Sequence, residues 1–396
     1  MTVNAVLNSF ADPPEPRPRG TGSDRMVRII QASFAPVELR ADEMAEHFYA
    51  VLFSLVPSAR DLFPVNMQKQ RTRLFRALVQ LVEAADRPEE LTPYLRRLGR
   101  DHRKFGVRQE HFRAFGVALR AAVRTYTTVE WTDEVEQAWT QAYEVVARIM
   151  QEGVADDSLP AWWTAEVVSH QRRDWDTAII RVRPESQIPY LAGQFVSVES
   201  PRRPRLWRYL SPANVPREDG TVDFHVRVVA GGWVSRALVR QTVPGDRWRV
   251  GAPMGELWRD RDVQRDLVLI AGGTGVAPLH AVVEDLAGRA TQPSSVTLFF
   301  GGPTADALYF LPELRELAAD LPWLKLVPVT EDGSVDDGER GKLPEVVTAL
   351  GGAWSGHDVL VAGSPGMIRA TVSRLLVEGT SYDQISYDSF ITEGRI

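Results

Sequence analysis

The 396-residue chain contains no cysteine. That excludes disulfides, zinc ribbons, thiolate-ligated iron–sulfur clusters and thioether-attached haem. It suits a cytoplasmic chain, and it leaves only His, Asp, Glu or Tyr to hold a metal. Histidine is scarce as well: seven residues, at 47, 102, 111, 170, 225, 280 and 357. None stands in an HxH or HExxH spacing, so a metal held by several histidines is not expected, and a single-histidine site is the sharper option. No apolar run approaches the roughly 18 residues of a membrane span. The longest, Leu267–Pro278, is interrupted by Gly272, Gly273 and Gly275. The N-terminus lacks a basic segment followed by an apolar one, so no secretory leader is expected. A net charge of −6 argues against nucleic acid as a partner.

The rest is a chain whose periodicity changes twice. Residues 1–24, with DPPEPRPRG and TGSD, read as a polar disordered tail. From Arg25 to Gly153 apolar residues recur at helical spacing, as in ADEMAEHFYAVLFSLV and EHFRAFGVALRAAV. Five to seven helices are expected there, with prolines 57, 64, 88 and 93 at their junctions. From Ala165 to about Val250 the pattern becomes alternating and β-branched (TAIIRVRP, GQFVSVES, VDFHVRVV), which predicts an antiparallel barrel or sandwich. From Asp266 short apolar strands such as DLVLIAGG and DVLVAGSP alternate with helical stretches, which predicts a doubly wound parallel sheet.

The most specific local signal is DLVLIAGGTGVAPLHAVVEDL. A buried strand enters the turn Gly273-Thr274-Gly275, and a helix leaves it near Pro278. Glycines let a backbone approach a pyrophosphate closely, and the helix N-terminus offers free N–H groups. A second glycine turn, Ala362-Gly363-Ser364-Pro365-Gly366, ends the strand DVLV and should lie on the same sheet edge. His102, in DHRKFGV, admits two readings. It is a solvated helix-face residue beside Asp101, Arg103 and Lys104, or an axial ligand to a group that the rest of the chain supplies with electrons.

The segments LAGQFVSV, LWRYLSPAN, VRVVAGGWVS, PGDRWRVGAPMGEL and the glycine turn together resemble the flavin branch of the ferredoxin-NADP reductase family, over about 163–396. The resemblance implies that Arg208, Tyr209 and Ser211 hold the flavin and a phosphate. It puts Gly232 and Ser235 at the FAD pyrophosphate, with Ser235 capping a helix, and Phe390 stacked on the flavin ring. Gly273, Thr274, Gly275, Pro278 and Gly363 then hold the nicotinamide nucleotide. Two positions depart from the family: Leu210 replaces a flavin-packing tyrosine, and Ala362 replaces a cysteine common near the nicotinamide. FFGGPTADALY has no arginine after its strand to anchor a 2′-phosphate, which favours NADH over NADPH.

The helical span, through HFYAVLFSLVPSARDLF, QKQRTRLF, LGRDHRKFGVRQEHFRAFGVAL and AWTQAYEVVARI, resembles a bacterial globin of the flavohaemoglobin type. The resemblance implies His102 as the proximal haem ligand, Tyr49 and Gln70 as the distal oxygen-binding pair, Phe63 as a wedge on the haem and Leu74 as a shaper of gas access. His47 should point away from that pocket. The family's proximal tyrosine is Phe112 here, and Val154 stands at its glutamate position with Glu152 two residues before.

The expected architecture is multidomain: a tail (1–24), an all-α globin (25–153), an antiparallel β-barrel FAD domain (154–262) and an α/β doubly wound NAD(P) domain (263–396). The resemblance implies a monomer in which NADH reduces FAD, FAD reduces haem b, and nitric oxide and dioxygen become nitrate. The alternatives are a haem redox enzyme acting on peroxide or an organic partner, a gas sensor, and a globin-gated or haem-free flavin reductase.

Overall fold

A computed structural model describes residues 22–155, 158–258, 265–291, 293–352 and 354–387. Six α-helices come first: α1 (Gly22–Phe34), α2 (Ala41–Leu55), α3 (Gln68–Glu83), α4 (Pro88–His102), α5 (Gln109–Tyr126) and α6 (Asp133–Ala155). The apolar stripes of five of them meet in one cluster around Phe34, Met44, Phe48 and Leu119, whereas α4 packs through Leu91 and Leu95 in a second, smaller cluster with Val146, Ile149 and Met150 of α6. Each such side chain buried contributes about 2 kcal/mol. α1 takes in the last three residues of the stretch read as tail, with Asp24 in its first turn, where a carboxylate complements the helix dipole. Pro93 is not at a junction but inside α4. It gives up the bond to the carbonyl four residues back, and the burial of Leu91 and Leu95 on either side keeps the helix in place.

The barrel follows: β1 (Trp162–Arg172), β2 (Thr177–Pro184), β3 (Val196–Glu199), β4 (Arg208–Leu210), β5 (Val222–Arg227), then helix α7 (Trp233–Gln241) and β6 (Arg247–Gly251). The sheet runs β4-β3-β6-β1-β2-β5, and all its pairings are antiparallel. A bridge between Pro212 and Phe224 brings the two edges together, so the sheet nearly closes. β2 shows why alternation was readable: Ile180 and Val182 are buried, whereas Arg181 and Arg183 face out.

The last domain holds β7 (Asp266–Gly272), α8 (Val276–Ala287), β8 (Val296–Gly302), α9 (Leu311–Asp320), β9 (Leu324–Thr330), β10 (Glu339–Arg340), α10 (Leu343–Gly351), β11 (His357–Ala362), α11 (Pro365–Val377) and β12 (Ile385–Tyr387). Its sheet is parallel, in the order β10-β9-β8-β7-β11-β12. The chain winds one way from β7 to β8 and later returns on its other side as β11. β7 is therefore the switch point, and a crevice opens at its carboxyl end. Among the described residues no helix is long and apolar enough to cross a membrane.

Candidate functional site

His102 is the last residue of α4. Its Nδ1 lies 2.7 Å from the Leu98 carbonyl oxygen. A carbonyl only accepts, so Nδ1 carries the proton and Nε2 keeps its lone pair, the form a metal requires. Burial lowers the proton affinity of the ring, which keeps it neutral. Behind His102, α4 and α6 pack backbone to backbone. A Cβ on Gly99 would stand 2.0 Å from the Met150 carbonyl oxygen, and one on Gly153 2.3 Å from that of Arg96. Glu152 pairs with Arg96 at 3.2 Å. The carbonyl of Phe112 accepts the Tyr143 hydroxyl at 2.5 Å. The histidine ring is thus oriented by a main-chain carbonyl and not by a carboxylate.

Tyr49 lies on α2, 6% exposed. Its ring stands 5.7 Å from Phe53 and 5.3 Å from Phe63, and its hydroxyl is close enough to the Gln70 side chain of α3 to interact with it. Burial pushes the phenol well above its ordinary range, so it remains a neutral donor. Phe63 and Leu74 pack against the same core. The fold therefore brings Tyr49, Phe63, Gln70 and Leu74 into one apolar wall with a single phenol–amide pair. His47 sits edge-on to Tyr126 at 5.8 Å, away from that pair. A neutral imidazole on one helix and this wall on two others fit a haem.

On β4, alternation separates neighbours. Leu210 packs into the barrel core. Tyr209 turns the other way, 5.2 Å from the Phe195 ring, and its hydroxyl donates to Asp101 of the helical domain at 2.8 Å. The Arg208 guanidinium donates to the Trp207 carbonyl at 2.7 Å, and Ser211 is buried. Gly232 is the N-cap of α7, and a Cβ there would meet the Ser235 hydroxyl at 2.6 Å and the Val229 carbonyl at 2.9 Å. Ser235 is not the helix cap. It is the third helical residue, and its hydroxyl accepts the Val229 N–H at 3.0 Å. That bond closes the preceding loop. The first amides of α7 have no carbonyl of their own helix to pair with, as a diphosphate requires. Phe390 lies outside the described residues.

The two glycine turns interlock. β7 and β11 run side by side in parallel, with Ala271 opposite Ala362. Gly273 has φ +54°. A Cβ on Gly275 would stand 2.2 Å from the Ala362 carbonyl oxygen and 2.6 Å from the Gly363 nitrogen. Gly363 has φ +156°, and its Cβ would meet Met367 at 2.3 Å. Thr274 lies between the glycines, and Pro278 occupies the first turn of α8, where a missing N–H costs little. Spacing did not flag Arg227. This residue ends β5, and its guanidinium comes within 3.7 Å of where a Cβ on Gly273 would be. Asp176 holds it at 3.0 Å. The cation stands over the glycine turn, an arrangement that arises from strands far apart in sequence.

Three families match in order: globin over residues 46–150, an oxidoreductase FAD-binding domain over 164–258 and an oxidoreductase NAD-binding domain over 269–373. The chain is 24% identical to a flavohemoprotein of Vibrio cholerae serotype O1, over 92% of this chain and 96% of that one. It superposes on the flavohemoglobin of Malassezia yamatoensis, solved with FAD and haem, at 19% identity and a TM-score of 0.76, covering 93% and 98% of the two chains. It also matches the FAD/NAD-binding domain of a nitric oxide dioxygenase from Vibrio cholerae at 23% identity and a TM-score of 0.50, covering 57% of this chain and 97% of that one.

Proposed function

The chain belongs with the flavohaemoglobins, in which a globin is joined to FAD- and NAD-binding domains, and we propose that it is an NADH-dependent nitric oxide dioxygenase. As a flavohaemoprotein it is an NAD(P)H-dependent oxidoreductase using haem, FAD and NAD(H). When bound, these groups supply hydride acceptance, single-electron transfer and gas binding. In our reading the protein's part is positional. His102 would hold a haem iron through Nε2, which the Leu98 carbonyl leaves unprotonated. Arg208, Ser211, Gly232 and the loop closed by Ser235 would seat the flavin, and the interlocked turns at Gly275 and Gly363 would seat the nucleotide.

The Tyr49–Gln70 pair carries the choice of reaction. A buried neutral phenol beside an amide in an apolar wall is a donor suited to a small polar diatomic that gains negative charge. Removing such a donor costs about 100-fold. Tyr49→Phe is therefore expected to accelerate dioxygen release by about that factor and to reduce nitric oxide consumption, with haem content unchanged. Stopped-flow oxygen release and a nitric oxide electrode measure the two. Unaltered nitric oxide consumption in Tyr49→Phe would remove this reading. A second reading, a haem redox enzyme with another substrate, is favoured by the carbonyl partner of His102, which pushes less electron density toward a metal than a carboxylate does.

Arg227 yields a separate prediction. Arg227→Ala should raise the KM for NADH about tenfold, as expected for one charge-assisted contact to phosphate, and leave the maximal rate of flavin reduction nearly intact. Steady-state kinetics with ferricyanide as acceptor reads this. An unchanged KM would place the guanidinium outside the nucleotide site.

A further inference from the structure

Immediately beside His102, the end of α4 meets the flavin domain through a small polar cluster. Asp101 uses both carboxylate oxygens. One receives Lys104 at 2.6 Å, and the other receives the Tyr209 hydroxyl at 2.8 Å. The Lys104 side chain is only 5% exposed. Its ammonium faces three rings, Tyr209 at 4.7 Å, Phe105 at 5.2 Å and Trp207 at 5.6 Å. Two of those rings belong to the flavin domain. Arg103 adds a hydrogen bond to the carbonyl of Leu159 in the segment leading into the barrel.

Removing a lysine and a carboxylate from water is unfavourable unless both are fully partnered. Here the partnership is complete only when β4 lies against the globin. A buried charge pair of this kind tolerates one geometry and so specifies it. The geometry is also well placed. Asp101 is one peptide bond from His102, and Tyr209 is one from Arg208. A single hydrogen bond thus joins the neighbour of the haem ligand to the neighbour of the flavin-motif arginine.

We propose that Asp101 and Tyr209 are positioning residues, forming a latch that holds the end of α4 on the flavin strand and sets the rate of electron transfer from flavin to haem. The inference rests on reading His102 as the iron ligand and β4 as the flavin's strand. It takes Tyr209 off the flavin and assigns it to the domain contact. Electron exchange between two groups weakens steeply as they part, so a population of undocked molecules lowers the rate in proportion. Losing a hydrogen bond to a carboxylate should depopulate the docked form about tenfold.

The test is stopped-flow reduction of the full, cofactor-loaded protein by NADH under carbon monoxide, where flavin bleaching and growth of the ferrous–CO band are separate phases. Tyr209→Phe should slow the haem phase about tenfold, Asp101→Ala at least as much because it also strips Lys104 of its partner, and the double variant no further than Asp101→Ala, in which the Tyr209 bond is already lost. Asp101→Asn keeps an acceptor oxygen and should recover most of the rate. The Asp101→Ala flavin phase and ferrous–CO spectrum should match the wild type. A second readout needs no cofactor: amide hydrogen exchange across 103–107 should quicken in both variants of the unloaded protein. A haem phase unchanged in both variants overturns the latch. So does a Tyr209→Phe variant that loses its flavin or slows both phases equally, since Tyr209 would then serve the flavin directly. If the wild type itself shows no haem phase, the electron-path reading fails first, and the two failures are distinguishable.

Discussion

His102→Ala is expected to abolish haem binding and to leave the flavin chemistry running. Purified protein should show less than about a tenth of the wild-type haem absorbance, because the proximal imidazole is the one protein bond to the iron in this reading. NADH-driven reduction of ferricyanide should continue, since it needs only the FAD and NAD domains. The expectation rests on the tautomer. The Leu98 carbonyl at 2.7 Å fixes the proton on Nδ1 and leaves Nε2 for a metal. His111, the next histidine along the chain, is no substitute, because its own Nδ1 already accepts the Arg108 amide at 2.9 Å. Added imidazole should restore part of the haem signal by entering the vacated space. Full haem retention in His102→Ala would return His102 to the plain alternative, a polar residue at a helix end.

Gly275→Ala is the second large effect. A methyl group there would stand 2.2 Å from the Ala362 carbonyl oxygen and 2.6 Å from the Gly363 nitrogen. Both are backbone atoms of a neighbouring strand end, so no side chain can swing aside. The two turns must part, and with them the crevice at the end of β7. Overpacking of this kind costs about 3 kcal/mol, and displaced phosphate-binding amides should lower NADH-driven flavin reduction by about 100-fold. Gly366→Ala is the control. It lies in the second turn segment, but nothing stands within 4 Å of its added methyl. It should melt with the wild type and turn over normally. Equal behaviour of the two variants would show that the close approach at Gly275 does not matter to nucleotide binding.

Much of this was legible in the chain because it depends on local patterns. Alternation such as Ile180 and Val182 in against Arg181 and Arg183 out marks a half-buried strand whatever lies around it. Continuous runs such as DLVLIAG mark strands covered on both faces. Glycine spacing marks a backbone that must come close to something. The misread details depend on partners distant in sequence. Pro93 is tolerated within α4 because of the packing on either side. Ser235 resembles a cap by residue type, yet its hydroxyl is taken up by the Val229 amide. The direction of Tyr209 follows from strand alternation, but its acceptor, Asp101, is 108 residues away. Arg227 reaches the glycine turn at Gly273 only because the barrel and the parallel sheet pack together there. The departures from the family's proximal tyrosine and glutamate were visible as Phe112 and Val154. The physical correlate, helices packed through Gly99 and Gly153, needed coordinates.

The central claim is a continuous electron path from nicotinamide through FAD to a His102-ligated haem. An anaerobic absorbance titration of the purified protein with NADH under carbon monoxide tests it most directly. The path predicts that the ferrous–CO band grows as the flavin bleaches, to one haem reduced per chain, and that His102→Ala bleaches its flavin without the band. A flavin that bleaches fully beside a haem that stays ferric would contradict it, and would leave a flavin reductase joined to an uncoupled globin.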